Sequence, residues 1–326
     1  MGKKKQSGQQ RTPTQQDLLQ RAETPQYKRM SFGAYWKRNQ LSYYMIAPFM
    51  LLFFTFTILP VVSSVVLSFT NFNMMDWPGW VGWSNYIRMF LYDDVFYVAV
   101  RNTLVFAILT GPLSYVLSLL LAWFINELPK RMRAFMTLCI YAPSITGGAY
   151  FIWTYLFSGD AYGFINGLMM RWGFAQEPIL WLTDERYIMV VLIVVQLWMS
   201  MGAGFLAMIA GLRNVDHELY EAGAIDGVKN RWQELLYITL PSIAPQLVFA
   251  AVLQIAASFA VADVSMNLAG FPSTNYAGHT VLIHMFDYGS VRYEMGYAAA
   301  IAVILFASMA LTNSAMRAVF RKFSAE

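Results

Sequence analysis

One cysteine and three histidines in 326 residues leave little for covalent or metal-based architecture. Cys139 alone excludes an intrachain disulfide framework, and His217, His279 and His284 are too scattered for a His/Cys metal cage, so no metal is assigned. Charge is scarce as well: Asp, Glu, Lys and Arg make up 13% of the chain, against about 25% in a typical soluble protein. Hydrophobic residues reach 57% and aromatic ones 16%. The apolar residues gather in long uncharged runs instead of being spread around one core, which excludes a soluble globular chain and places most of this one in or near lipid.

Six uncharged, apolar runs stand out: Asn39–Met75, Asn102–Asn126, Ala134–Gly159, Tyr187–Leu212, Leu235–Ala262 and Met295–Met316. The shortest holds 22 residues. A helix rising 1.5 Å per residue needs about 20 to cross about 30 Å of hydrocarbon, so each run can span. Lipid leaves no unpaired backbone unpunished, and the alternating segments of roughly 10 residues that build a β-barrel are absent from these runs, so an all-α membrane protein with six transmembrane helices is expected.

Lysine and arginine set the orientation, because basic loops resist translocation. Nine lie before the first run, at Lys3, Lys4, Lys5, Arg11, Arg21, Lys28, Arg29, Lys37 and Arg38. Lys130, Arg131, Arg133, Arg213, Lys229, Arg231, Arg317, Arg321 and Lys322 fall on the same side, and only Arg88, Arg101, Arg171, Arg186 and Arg292 on the other. Both termini are therefore expected in the cytoplasm of a multi-pass protein of the plasma or inner membrane. Residues 1–40 are too polar to build a core and read as a disordered basic tail, with Phe32, Tyr35 and Trp36 marking the headgroup level or forming a short interfacial helix. No cleavable signal is expected, since the first apolar run is a full span beginning near Leu41. The organisation that follows is a tail over 1–40, a first transmembrane helix over 41–69 and a core with five transmembrane helices over 98–319, which includes a cytoplasmic loop at 213–242.

The chain carries no recognisable energy source. A phosphate loop ends in Gly-Lys-Ser/Thr, and the nearest approach, Gly223 to Lys229, lacks both the spacing and the hydroxyl. An ion-driven carrier usually holds several ionisable groups within the membrane. Here Asp263 is the one strong candidate, either a carboxylate at the water interface or the wall of a substrate cavity. A membrane enzyme would want clustered catalytic residues in the spans, and none are seen.

The loop Arg213–Ser242 is the most informative stretch, being far longer than the usual 2–8-residue helix connection. Asp216 is placed to cap a helix over His217–Ile225, and Gly227 to end it in a left-handed conformation. A second helix is expected from about Asn230 until Pro241 and Pro245 break it. The small residues Ala222, Gly223 and Ala224 would let another surface approach closely, although an amphipathic loop lying on the membrane remains an alternative.

These residues resemble a family. Glu221-Ala222-Gly223, Asp226-Gly227, Ile238-Thr239-Leu240-Pro241 and Pro245 are similar to the EAA loop of ABC-importer permeases, in particular the carbohydrate-uptake permeases related to the larger membrane subunit of the maltose transporter. Two departures exist: Gly223 stands where alanine is usual, and the spacing from Gly227 to Ile238 is one residue longer. Asn102-Thr103, Ala142-Pro143-Ser144, Tyr162-Gly163 with Asn166, Trp181 to Asp184 and Ala210-Gly211-Leu212 extend the resemblance over all but the tail. It implies a type-1 importer permease fold with no cofactor in this chain, ATP and Mg being bound by two copies of a cytoplasmic ABC ATPase. It further implies a second, homologous permease in a heterodimer, an extracytoplasmic solute-binding protein, a sugar cargo and membrane lipid, with no role for nucleic acid. Glu221, Ala222, Gly223, Asp226 and Gly227 would then insert into a cleft on the ATPase and transmit its closing, alternating the exposure of a cavity.

Sugars are held by aromatic faces and hydrogen-bonding side chains, so polar residues at membrane depth mark candidate path positions. Tyr141 and Ser144 flank Pro143, Gln196 and Ser200 share a helix face with Met199 between them, and Asp263, Ser265 and Asn267 close run five. For each, an interhelical hydrogen bond is the alternative role. Small residues Gly202, Ala203, Gly204 and Ala207 would allow close helix contact, internally or with the second permease. The rival readings are an ion-coupled secondary carrier, which only Asp263 favours, and an ABC permease for glycerol phosphate, polyamine or peptide. An anionic cargo would want a cationic cavity, and Arg101 is the only nearby candidate.

Overall fold

A computed structural model describes Trp36, residues 39–146 and residues 150–324. The expected tail, with Phe32 and Tyr35, lies outside the described residues except for Trp36, Asn39 and Gln40; the Trp36 ring stacks on Tyr43 at 4.5 Å. Two compact units divide at Pro60, Met1–Pro60 and Val61–Glu326, and each is taken by itself. In the first, α1 (Gln40–Leu67) begins and runs through a π-helical turn at Phe54–Ile58. Its side chains from Gln40 to Pro60 are exposed and mostly apolar, as suits a helix immersed in lipid.

In the second unit the amphipathic α2 (Ser84–Leu91) precedes α3 (Asp94–Asn126), the axis of the fold. Asp93 caps α3 by accepting the Phe96 N–H at 3.0 Å, and 33 residues carry it about 50 Å. There follow α4 (Lys130–Ile145) with α5 (Tyr150–Leu156), α6 (Phe164–Arg171), α7 (Glu185–Met199) with α8 (Ala203–Arg213), and α9 (His217–Ile225). Last come α10 (Arg231–Ser242) with α11 (Ala244–Phe259), α12 (Asp263–Leu268), α13 (Val281–Phe286) and α14 (Met295–Ser324). Among the described residues no strand forms; Thr70 and Trp80 make one isolated antiparallel bridge.

Among the described residues three helices, α1, α3 and the Met295–Ala318 part of α14, are long and apolar enough to cross a membrane alone, and counting each of the bent pairs α4–α5, α7–α8 and α10–α11 as one span brings the total up to six. Run four breaks at Ser200–Gly202 with a bend of 41°. Run five differs more from expectation: it bends by 82° at Ile243, so its first residues belong to an arm and only Ala244–Phe259, about 24 Å of helix, continues straight. Pro245 in the first turn of α11 lacks the N–H that would continue α10, and Ile243, 1% exposed, is driven into the core at the corner.

The core is a file of three apolar clusters along α3. Phe96 and Ala99 pack with Met89, Tyr288, Ile301 and Leu305 at one end, Phe106 with Ile188, Leu192 and Val264 in the middle, and Ala122 and Ile125 with Phe205, Met208 and Ile243 at the other. The close contact anticipated from Gly204 is internal: a Cβ there would lie 3.3 Å from that of Ala250, joining α8 to α11.

Candidate coupling surface and transport path

Asp216 caps α9, its carboxylate accepting the Glu218 N–H at 3.1 Å. The helix ends at Ile225, and Gly227 follows at φ +96°, where a β-branched side chain is strained whatever the space around it. Gly223 turns inward. A Cβ on it would meet Ile238 Cδ1 at 2.5 Å, so the absent methyl at this position of the motif lets α9 lie against α10. Glu221, Ala222, Ala224, Ile225 and Asp226 face outward, a small apolar surface edged with carboxylates, and Ile225 is 87% exposed.

The support beneath α9 is polar. Tyr220 and Thr239 meet through their hydroxyls at 2.9 Å, and Thr239, 2% exposed, sits in a π-helical turn of α10 where its Oγ1 also donates to the Glu234 carbonyl at 3.2 Å. Asn230 caps α10, accepting the Gln233 N–H at 2.8 Å. Arg231 bridges Glu234 at 2.7 Å and Glu127, just beyond α3, at 3.2 Å, while Trp232 lies 5.1 Å from Trp123. Between these pieces opens a cleft of about 750 Å³ whose wall includes Asn126, Glu127, Arg133, Tyr220, Glu221 and Arg231. Tyr220, Thr239 and Glu127 gave no sequence signal of this role, since each partner lies on another element.

The candidate path residues lie at three helix breaks: beyond Ile145, at Ser200–Gly202, and at Ala260–Ala262. The breaks are neighbours, for α7 packs on α4 and α12 packs on α5 and α7. A Cβ on Gly202 would lie 3.8 Å from Ser144 Cβ. Ser144, Asp263 and Asn267 are exposed, and Tyr141, Gln196, Met199 and Ser200 are half-buried. Ser144 Oγ donates to the Tyr141 carbonyl at 2.7 Å, and Asn267 Nδ2 to that of Asp263 at 2.7 Å, both within their own helix. Ser200 Oγ donates to Ser114 Oγ at 2.6 Å, the interhelical bond. Ser265 departs from the exposed position expected of a path residue: it is fully buried and its hydroxyl donates to the Gly278 carbonyl at 2.6 Å, fastening a loop. Trp153 and Trp198 pack edge to face at 5.2 Å.

Several landmarks of the sequence prove to be joints. Asn166, with no exposed surface, donates to the carbonyls of Ser158, Asp160 and Ile179 and accepts from the Ile179 N–H and from Trp181 Nε1 at 2.8 Å. Gly211 packs on Gln246, whose Cγ would lie 3.0 Å from an added Cβ.

Up to six apolar segments among the described residues, half of them bent, define a multi-pass membrane protein. Residues 100–325 match the family described as binding-protein-dependent transport system inner membrane component. The chain belongs to that family. It is 31% identical over 276 residues to the arabinooligosaccharides transport system permease protein AraP of Bacillus subtilis (strain 168), covering 83% of this chain and 85% of that one. To the lactose transport system permease protein LacF of Rhizobium radiobacter it is 31% identical over 227 residues, covering 69% and 74%. In fold it is similar to a chain of a bacterial alginate ABC transporter solved in complex with alginate pentasaccharide-bound periplasmic protein, with TM-score 0.73, 21% identity, and coverage of 89% and 96%.

Proposed function

We propose that this chain is the sugar-translocating permease subunit of an ATP-driven importer, with no ATPase site of its own. A separate cytoplasmic ATPase, binding ATP and Mg, drives it through Glu221, Ala222, Gly223, Asp226 and Gly227. A second permease completes the pathway and an extracytoplasmic receptor delivers the cargo. The observation that carries this reading is α9, a capped helix exposing Ala222, Ala224 and Ile225 while fixed from beneath by Gly223 and Tyr220. Such a surface suits close docking and the transfer of a rigid-body push. The named cargoes of AraP and LacF support a carbohydrate. Tyr141, Ser144, Gln196, Met199, Ser200, Asp263 and Asn267 are the proposed path residues, and Ser265 holds the loop behind them.

Purification from native membrane in mild detergent, with mass spectrometry of whatever stays bound, tests this. An ATPase and a second permease should accompany the intact chain, and the ATPase should be lost when Glu221–Gly227 is deleted or Ala222 is replaced by Trp. A chain that emerges alone, and that transports when reconstituted alone, overturns the reading.

A further inference from the structure

At the Asp93 end of α3, remote from α9, four side chains form a buried line of hydrogen bonds. Tyr297 O–H donates to Asp93 Oδ2 at 2.7 Å, His284 Nε2 lies 3.0 Å from the same oxygen, and His279 Nε2 lies 3.1 Å from His284 Nδ1. Burial alone would raise the Asp93 carboxyl, but the hydrogen bonds from Tyr297 and Phe96 and the neighbouring His284 hold it below the usual carboxylate range. A carboxylate only accepts, so the His284 proton sits on Nε2, its Nδ1 is bare, and His279 must donate from Nε2. His279 Nδ1 is then a lone pair, and that atom is buried without a hydrogen-bond partner.

The segment around His279 is a latch. Asn102 Nδ2 donates to the carbonyls of Tyr276 and His279, both at 2.9 Å, and Thr103 Oγ1 accepts the Val281 N–H at 2.9 Å, tying Ser273–Val281 to α3. On its other side Thr280 Oγ1 donates to the Val261 carbonyl and Ser265 Oγ to that of Gly278, both at 2.6 Å. These hold the α11–α12 elbow, one of the three breaks. The fit is tight: a Cβ on Gly278 would lie 2.7 Å from Ser265 Oγ.

We propose that His279 Nδ1 is a proton-binding site, and that its protonation frees the Ser273–Val281 latch from the α11–α12 elbow and arrests transport. A proton there creates a charge at a residue 2% exposed, with nothing to receive its N–H. The carboxylates that attract such a charge, Asp287 and Asp93, are outweighed by burial and already have partners of their own. Asp93 at the cap of α3 already takes bonds from Tyr297 of α14, His284 of α13 and the Phe96 N–H; Asp287 after α13 is paired with Arg292 at 2.6 Å; and Glu294 is paired with Arg88 of α2. The remaining neighbours of His279, Phe271 and Tyr276, offer rings. Burial, followed by the nearby His284, pushes His279 down to about 4. A histidine lowered in the closed form binds its proton more readily in the open one, so acid favours opening. Taking about 6.5 for the freed side chain, the open share rises about a hundredfold between pH 7 and 4.

Two measurements on the complete transporter in proteoliposomes test this, the pathway part of it resting on the importer reading above. Uptake is followed with the Glu221 side buffered near neutrality and the Asp93 side titrated downward, in the wild type and in His279→Gln, which keeps an N–H for His284 and cannot titrate. Each is normalised to its own neutral rate. Wild-type uptake should fall reversibly in acid while the variant holds its rate. Hydrogen exchange of the 273–281 amides, corrected for intrinsic rates, should show protection lost by up to about a hundredfold in the wild type alone. Unchanged wild-type protection in acid, or equal loss in the variant, overturns the proposal, and should the variant fail to assemble the wild-type exchange profile decides. Absence of sugar uptake at neutral pH would count instead against the importer reading.

Discussion

The Tyr220 and Thr239 hydroxyls, 2.9 Å apart, join the body of α9 to the buried face of α10. Tyr220→Phe and Thr239→Val should each destabilise by about 1 kcal/mol, and the double variant by less than the sum, with a coupling of about 0.5–1.5 kcal/mol in a denaturation cycle. Strict additivity would mean that the two hydroxyls do not act on each other.

Gly227→Val should uncouple the transporter. With φ at +96° the valine is strained by about 1–2 kcal/mol and the chain leaves α9 at a new angle. Reconstituted complexes should keep basal ATP hydrolysis and lose cargo-stimulated hydrolysis and uptake together. Gly227→Ala should fall between. Normal uptake by the valine variant would remove this turn from the mechanism.

Arg231 makes a conspicuous bridge with Glu127 and Glu234, yet its side chain is 64% exposed. Solvent screens such pairs, so Arg231→Ala should change thermal stability by less than about 1 kcal/mol. A larger loss, read from the unfolding midpoint, would show that the packing of the side-chain stem matters more than its charge.

Asn166→Ala should be far worse despite removing no charge. It strands the half-buried Ile179 N–H and Trp181 Nε1 and removes the shared donor of three carbonyls at once, a cost of about 3 kcal/mol. Limited proteolysis between Ser158 and Trp181 should speed up in step with a lowered unfolding midpoint.

What could be read beforehand was local. Asp216 and Gly227 bracket α9 at His217–Ile225 because capping and left-handed turns depend on neighbours in the chain. Pro241 and Pro245 foretold an interruption, but its 82° angle depends on where Ile243 is buried, which no pattern of prolines states. The partners of the polar joints are remote: Asn102 and His279 are 177 residues apart, and Asp93 and Tyr297 are 204. Asn102-Thr103 was therefore visible as a landmark and not as a fastening. Ser265 illustrates the opposite limit, for a serine at the end of an apolar run looks the same whether it lines a passage or ties down a loop.

The corner at Ile243 makes α10 and α11 the two arms of a bell crank. Their lengths are about 18 and 24 Å. In the coupling proposed above, a thrust received at α9 would emerge nearly at right angles, and the longer arm would enlarge it by roughly a third at the far tip, Phe259, directly before the elbow that Thr280 and Ser265 hold. On that proposal stroke length would be set by where a single buried isoleucine places the pivot, so a one-residue insertion or deletion in either arm would alter the gearing without touching any of the proposed path residues.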